Sequence, residues 1–547
     1  MGSHSLVRRA RILAIAAAVV ATSVSAFGQS GQLRVSASAQ AAAQAITAQP
    51  GESLRRLSID EASTLALEQN LGIRIQRYDP QIQDTGVALA RSSWAPQLSS
   101  TITKNSADNP STSILSGTVP VITTGQFFTG ITMTDALPWG ASLTANWNNS
   151  RFTTTDPTNT FNPRLSSNML FNFTQPLLRN FEIDQIRQQV QTSKKVRDLS
   201  DIQLQTVVTQ TVRNVKNAYW DLVYAINNLK AQQQSLALSQ QSLKDNQKRV
   251  EIGTLAPIDI VQSQAEVANN EQGVIVADAQ IKQAQDNLRA LILDPGTPDF
   301  WTVVFDPTDA ATYSEQAIDI DGAVRAALDK RTDLRAAKNT IEQSDINVKF
   351  YGNQIKPDLN ALVNYGAVGI AGVQQTGGFN PFTGQTTPIT SVNKSYGSAL
   401  GDVLGSAYPQ WSVGVQIGYP LGSNTAHANL ARVRLEYDQS QAQLKSLQLQ
   451  VATQVRTVGR AVQTNQKRVQ AAKASRELQE KKLEAEEKKL AAGMSSTFLV
   501  LQAQRDLALA RTQEVQAVSD YNKSLVDFDA VQQVPLGFGG ASVNVAR

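Results

Sequence analysis

There is no cysteine among the 547 residues. A disulfide framework, a thiolate metal site and a lipid anchor on an N-terminal cysteine are thereby excluded. Histidine is almost as scarce. His4 sits in the N-terminal segment and only His427 lies in the body of the chain, which argues against histidine catalysis or a histidine metal cluster. Beyond the N-terminus no run of about 18 apolar residues occurs, so no transmembrane helix is expected. Charge of one sign is not in excess either, since 50 Lys and Arg face 46 Asp and Glu for a net +4. Three of those basic residues, Arg8, Arg9 and Arg11, precede an apolar run near the start. Without them the balance falls to about +1, and no nucleic-acid partner is suggested. No nucleophile–base pair, phosphate-binding loop or metal constellation stands out, so neither an enzyme nor a cofactor is expected.

What is present begins with "ILAIAAAVVATSVSA" behind those arginines, closed by Val24, Ser25 and Ala26. The pattern reads as a cleaved export signal over 1–26, which places the start of the mature chain near Phe27. Residues 27–56, rich in Ala, Gln and Ser, read as a flexible leader.

The rest is written twice. "SIDEASTLALEQNLGIRIQ" from Ser58 resembles "DIDGAVRAALDKRTDLRAA" from Asp319, and the same offset carries Pro96 of "APQLSS" onto Pro357 of "KPDLNA". Further on, "LFNFTQPLLRN" matches "VQIGYPLGSN", and "RVEIGTLAPIDI" around Gly253 matches "KKLAAGMSSTFL" around Gly493. The expected organisation is a first copy over 57–293, with strands near 97–175 and a turn near 253. A connector over 294–316 follows, punctuated by Pro, Gly and Asp and holding a short strand at "WTVVF". The second copy covers 317–531, with strands near 357–420 and a turn near 493, and a tail takes 532–547.

Two proline-free stretches, from about Asp184 to Ile252 and from about Ala428 to Ala492, predict helices of about 100 Å each. In the second, Leu444, Leu447, Val451, Val455, Val458, Val462 and Val469 step by threes and fours, the narrow seam of a coiled coil. The strands alternate. Trp411, Val413, Val415, Ile417 and Tyr419 share one side of "WSVGVQIGY", and Leu359, Ala361, Val363 and Tyr365 share one side of "DLNALVNYG". Such alternation suits a soluble sandwich or a membrane barrel, but no second sheet is evident to cover the apolar side. Two main strands per copy are too few to close a barrel, so an oligomer is expected. In the first copy "FFTGITMTDALPWGASLTANWNNSR" reads as an added hairpin that lengthens an outer loop or widens the strand region. Pro80, within the second expected helix, is expected to kink or divide it.

The order of these landmarks, repeated twice, resembles the TolC-like outer-membrane efflux proteins of bacteria. That resemblance implies an α+β membrane protein, internally duplicated. Its long antiparallel coiled-coil helices would form an α-barrel in the periplasm, below a twelve-stranded β-barrel to which each chain of a homotrimer gives four strands. It implies a passive exit duct of a tripartite efflux or type I secretion system, embedded in outer-membrane lipid and joined through a periplasmic adaptor to an inner-membrane pump. The turns would be its periplasmic tips, with Ile252, Gly253, Thr254, Leu255, Gly493, Met494 and Ser495 as the adaptor-docking positions. Asp259, Leu499 and Gln502 match the pore constriction, although Leu499 and Gln502 stand where relatives carry aspartates. Asp259 has a plainer reading as a helix N-terminal acid. The alternative for the whole chain is a periplasmic coiled-coil adaptor or structural rod.

Overall fold

A computed structural model describes residues 53–112, 120–156, 158–298, 300–309, 313–379, 386–419 and 425–533. The export signal and the C-terminal tail beyond 533 lie outside the described residues. By contacts the chain forms two units, the smaller made of residues 1–56 and 298–306 and the larger of everything else.

The smaller unit is built around a two-stranded sheet, in which β1 (Ser53–Leu57) pairs with β6 (Val303–Pro307). Two sequence expectations change here. The leader assigned to 27–56 ends in a strand, because the connector supplies a partner for its backbone groups, and the "WTVVF" strand starts later, at Val303. A second sheet thus exists. With two strands of five residues it is far smaller than the main one.

The larger unit repeats one order of elements. In the first copy α1 (Ile59–Gln69), α2 (Leu71–Gln76) and α3 (Tyr78–Ser92) lead into β2 (Gln97–Pro110), β3 (Val121–Ala136), β4 (Ser142–Thr154) and β5 (Phe161–Pro176). The long helix α4 (Gln185–Glu251) and the returning helix α5 (Pro257–Ile292) follow. The second copy runs α6 (Ile320–Lys330), α7 (Thr332–Gln354), β7 (Asp358–Phe379), β8 (Thr386–Lys394), α8 (Tyr396–Leu404) and β9 (Pro409–Gly418). It closes with α9 (Thr425–Ala491) and α10 (Thr497–Gln532). Both copies open on the same cap. Ser58 accepts the Glu61 N–H at 3.2 Å and Asp319 accepts the Gly322 N–H at 2.9 Å, each meeting an orphan donor of its helix. The single α7 corresponds to α2 plus α3. Pro80 has no N–H to give the carbonyl of Gln76, the last residue of α2, and the helix is interrupted at Arg77.

Each long helix has 67 residues, about 100 Å at the usual rise. The valine seam of α9 is where the bundle closes. Val451, Val455, Val462 and Val469 are buried against Ala323 and Ala327 of α6, Leu334 of α7, and Ala517, Tyr521 and Phe528 of α10. Leu444, Leu447 and Val458 flank them, half-buried. Small residues let the helices approach: a Cβ on Gly459 would come within 2.9 Å of Ile320. Burial of a valine or leucine contributes about 1.5–3 kcal/mol, so this seam, and not helix propensity, carries the association.

The main sheet has seven strands, where two per copy had been expected. Its order is β2-β3-β4-β5-β7-β8, with β9 also on β7, all antiparallel. One edge of β7 meets β5. The other meets β9 along residues 358–367 and β8 along 372–379, so β8 and β9 share that edge end to end. The extra strands arise because "FFTGITMTDALPWGASLTANWNNSR" is long enough for two full strands around the turn Leu137–Ala141, where the Gly140 N–H donates to the Leu137 carbonyl at 2.8 Å.

Candidate functional site

Two places draw together the residues singled out in the sequence, namely the two faces of the main sheet and the pair of helical turns. In an antiparallel sheet, residues directly opposite each other share a face. The register therefore reads out whole rows. Trp411, Tyr365, Phe171, Ala145, Met133 and Leu98 lie across β9, β7, β5, β4, β3 and β2, an apolar row six strands wide. One residue along each strand lies the neighbouring row, Ser412, Asn364, Asn172, Thr144, Thr134 and Gln97, which is wholly polar and uncharged. The polar side is knitted by neutral groups: Asn364 donates to Ser412 Oγ at 3.0 Å and Thr132 to Asn146 Oδ1 at 2.9 Å.

The apolar side is uncovered over much of its area. Trp411, Val413, Val415 and Ile417 of β9 are all more than half exposed, as is Leu98 of β2. An exposed apolar surface of this extent marks a membrane or protein contact. Tyr419, grouped with them from the sequence, lies one residue past the strand. Gly418 is the last residue of β9 to pair, opposite Asp358 at the start of β7, so no partner remains to extend it. At the other end of β7 the apolar side is covered by α8. A Cβ on Gly369 would stand 2.0 Å from the Ala399 carbonyl oxygen, and the Tyr396 hydroxyl reaches Asn149 Oδ1 at 2.5 Å.

The helical turns are one motif used twice. At the first, Gly253 has φ +76, its N–H bonds the Val250 carbonyl at 2.9 Å, and the Thr254 N–H bonds the Arg249 carbonyl at 2.8 Å. At the second, Gly493 has φ +75, its N–H bonds Leu490 at 3.1 Å, and the Met494 N–H bonds Lys489 at 2.8 Å. Both are Schellman caps, which need a left-handed residue after the helix and so favour glycine. A Cβ at either glycine would meet nothing within 4 Å. Glycine is required there by conformation alone.

The turns also differ. Thr254 adds a side-chain bond to the Arg249 carbonyl at 2.9 Å, whereas Ser495 donates to Glu486 at 2.8 Å, and Lys489 pairs with the same Glu486 at 2.7 Å. These two hydrogen bonds, Lys489 first, hold the Glu486 carboxyl below its ordinary range. Pro257 opens α5 at a position where its missing N–H costs nothing. Asp259 and Leu499 occupy the same place in their helices, each N–H bonded three residues back, to Ala256 and to Ser496. Gln502 is exposed one turn beyond Leu499. A single chain does not bring these three into a ring.

Side by side packing puts both turns at one end of the bundle. Gln504 of α10 donates to Ser242 of α4 at 2.7 Å, and Arg505 pairs with the buried Glu266 of α5 at 2.6 Å. Leu483, Val500, Ala503 and Leu507 form a small core that Leu238 of the first copy joins. Beyond that cross-link the tips present apolar side chains to solvent: Ile252, Ile258 and Val261 on one, Met494, Phe498 and Leu499 on the other. Ile258, Val261 and Phe498 were not singled out from the sequence. Ile258 and Phe498 each hold the second position of a returning helix, and this coincidence between the copies was the available signal.

Comparison with known proteins decides the class. The family model described as outer membrane efflux protein matches residues 62–292 and again 323–531. The chain belongs to the outer membrane efflux protein family. Solved structures agree in fold. The CmeC outer membrane channel of Campylobacter jejuni aligns at 14% identity over 87% of this chain and 85% of that one, with a TM-score of 0.59. VceC from Vibrio cholerae aligns at 14% identity, covering 87% of this chain and 95% of its own, at a TM-score of 0.59. The open-state MtrE channel of Neisseria gonorrhoeae gives 15%, 87%, 88% and 0.56 in the same terms. No curated protein sequence matches. The efflux family consists of outer-membrane channels and not of enzymes, and membership sets aside the reading as a periplasmic adaptor. This protein is accordingly an outer-membrane efflux channel, an exit duct whose helices extend into the periplasm.

Proposed function

We propose that the efflux channel works as a homotrimer, whose three main sheets join edge to edge into one closed barrel with the apolar rows facing lipid and the polar rows lining water. The observation that carries this is the state of the sheet's edges. Among the described residues β2 pairs only with β3 and β9 only with β7, and both strands are exposed along their whole length. Long unpaired edges in lipid are untenable, because no water is there to satisfy them. Joining the β2 edge of one chain to the β9 edge of the next is a head-to-tail contact, which closes into a ring. Native mass spectrometry and projection images of detergent-solubilised protein test the reading. A threefold hollow particle is expected, and a monodisperse monomer would sink it.

The paired turns are the docking surface for a periplasmic adaptor, through which an inner-membrane pump supplies the energy. Ile252, Gly253, Thr254, Leu255, Gly493, Met494 and Ser495 form that surface, together with exposed Ile258 and Phe498. Asp259, Leu499 and Gln502 lie just inside it and line the narrowest part of the duct. Met494→Trp is the cleaner variant, since the Met494 side chain takes no part in its cap, whereas Thr254→Trp also removes a hydroxyl bond. Both are expected to weaken crosslinking to the adaptor and to abolish transport, with normal trimer yield. Full crosslinking and transport in both would leave the turns with a capping role alone.

A further inference from the structure

We infer that the β3–β4 hairpin is a full-depth part of the barrel wall, so that each chain contributes six spanning strands and the trimer proposed above closes eighteen, against the twelve that the family resemblance implies. The position of the hairpin's turn carries the argument. Leu137–Ala141 lies at the helical end of the sheet and is locked there: a Cβ on Gly140 would meet Arg187 at 2.5 Å, the Asn180 carbonyl at 3.0 Å and Asp184 at 3.3 Å. Asp184 caps the long helix α4, accepting the Arg187 N–H at 2.7 Å. The hairpin therefore travels the whole distance from its outer ends to the junction of sheet and helices. Its strands, of 16 and 13 residues, exceed the roughly 9–11 that a tilted strand needs to cross a bilayer.

The second copy supplies the contrast. β8 is also an added strand, but it pairs with β7 only from residue 372 onward and does not descend to the helical end. Chemistry follows position. Ile131, Met133, Ala145 and Trp147 continue the apolar rows across the part of the hairpin nearer the helices, and Thr132, Thr134, Thr144 and Asn146 the polar ones, while farther out Asn149 and Arg151 stand on the apolar side. A loop outside the membrane has no reason to keep that alternation. Trp139, exposed in the turn, stands where an aromatic girdle meets the inner interface.

The consequence is a wide exit. Strands stack at about 4.8 Å, so circumference follows strand number and the backbone diameter becomes about 1.5 times that of a twelve-stranded barrel. Barrels of this size hold an aqueous channel instead of a packed interior. The inner rows are mostly Asn, Ser and Thr, with Asp358 at the helical end and Phe152 opposite Arg164 at the outer end, so charge along the path is sparse. Selection of solutes is left to the helical end, and the membrane segment passes whatever bulk that end admits.

The absence of native cysteine makes the test direct. Single cysteines at Ile131, Met133, Ala145 and Trp147, and at Thr132, Thr134, Thr144 and Asn146, are introduced into the full chain in outer-membrane vesicles. Each is then treated with a charged, lipid-insoluble thiol reagent. The second set is expected to react at least ten times faster than the first, residue by residue in alternation. Equal reactivity across both sets would put the hairpin outside the bilayer and overturn the inference, as would twelve strands counted by electron cryomicroscopy of the purified particle. A particle that is not a trimer, but whose chains each give six strands, contradicts the proposed assembly and supports this inference.

Discussion

The two copies agree in their helices and disagree in their strands. α4 and α9 both have 67 residues, and α5 and α10 both have 36. Between the caps Ser58 and Asp319 lie 261 positions, and between the turns Gly253 and Gly493 lie 240, so the first strand region is the longer by 21 residues. The difference has a mechanical reason. A helix packed along its full length shares its seam with several neighbours, and a change in its length would move the turn away from the tip beside it. A sheet can grow by a hairpin, because each new strand needs only the one before it and the pair returns to the side it left. Length is therefore held where the turns of the two copies lie side by side at one end of the bundle. It is free where the wall merely closes.

The largest effect expected from disturbing this arrangement is at the apolar face of the sheet, which the proposed trimer turns to lipid. Val415→Arg on β9 places a charge among apolar rows, at a cost of about 2–4 kcal/mol near the bilayer midplane. Trimer yield should fall sharply, while Gln416→Arg on the polar side should assemble normally. The same pair of measurements at Ile131 and Thr132 of β3 extends the comparison to the added hairpin, and tolerance of arginine at both members of either pair would disprove the assigned faces.

Next in size is the contact peculiar to the second copy. Gly369→Ala drives a methyl into the Ala399 carbonyl, which is backbone and cannot rotate aside. A loss of about 1–3 kcal/mol is expected from overpacking, seen as faster proteolysis around α8 with the helical tips unaffected. An unchanged proteolysis pattern would mean that α8 does not rest on the sheet.

Smaller, and equal in the two copies, is the cost of removing the cap glycines. Gly253→Ala and Gly493→Ala should each lose about 1 kcal/mol, because only the left-handed backbone opposes the methyl. Hydrogen exchange at the amides of Thr254 and Met494 reads this directly. A much larger loss at one turn alone would show that its glycine is packed against something.

The smallest effect separates the turns. Glu486 has a folded pKa below its ordinary value of 4.5, so it contributes stability above that pH, and the contribution is lost as pH falls through the folded value. Acidification below pH 4.5 should speed exchange at Met494 and leave Thr254 alone, since the Thr254 hydroxyl bonds a carbonyl that does not titrate. Equal acceleration at both would remove Glu486 from the account.

Much of the tip was legible from residue types. Gly253, Gly493 and Pro257 are demanded by local backbone geometry, and the valine seam of α9 follows from a period that any reader of the chain can count. Ile258 and Phe498 were missed because a single apolar residue in a helix is ordinarily core, and only the packing shows them turned to solvent. Asp259 was visible as an acid, but its role depends on neighbours that one chain does not hold.

The sequence by itself determined where helices run, where they turn and which strand residues share a side, because helical period, strand alternation and the chirality of a cap are settled within a few residues. The break at Arg77, three residues before Pro80 and its missing donor, belongs to the same class. Only the tertiary structure decided that β3 and β4 reach the helical end, that β8 stops short, and that α8 lies on the apolar side. Those outcomes rest on pairings such as Phe171 with Tyr365 and Tyr396 with Asn149, hundreds of positions apart. Strand depth and edge sharing are settled by which distant backbone remains unpaired, and no local pattern encodes that.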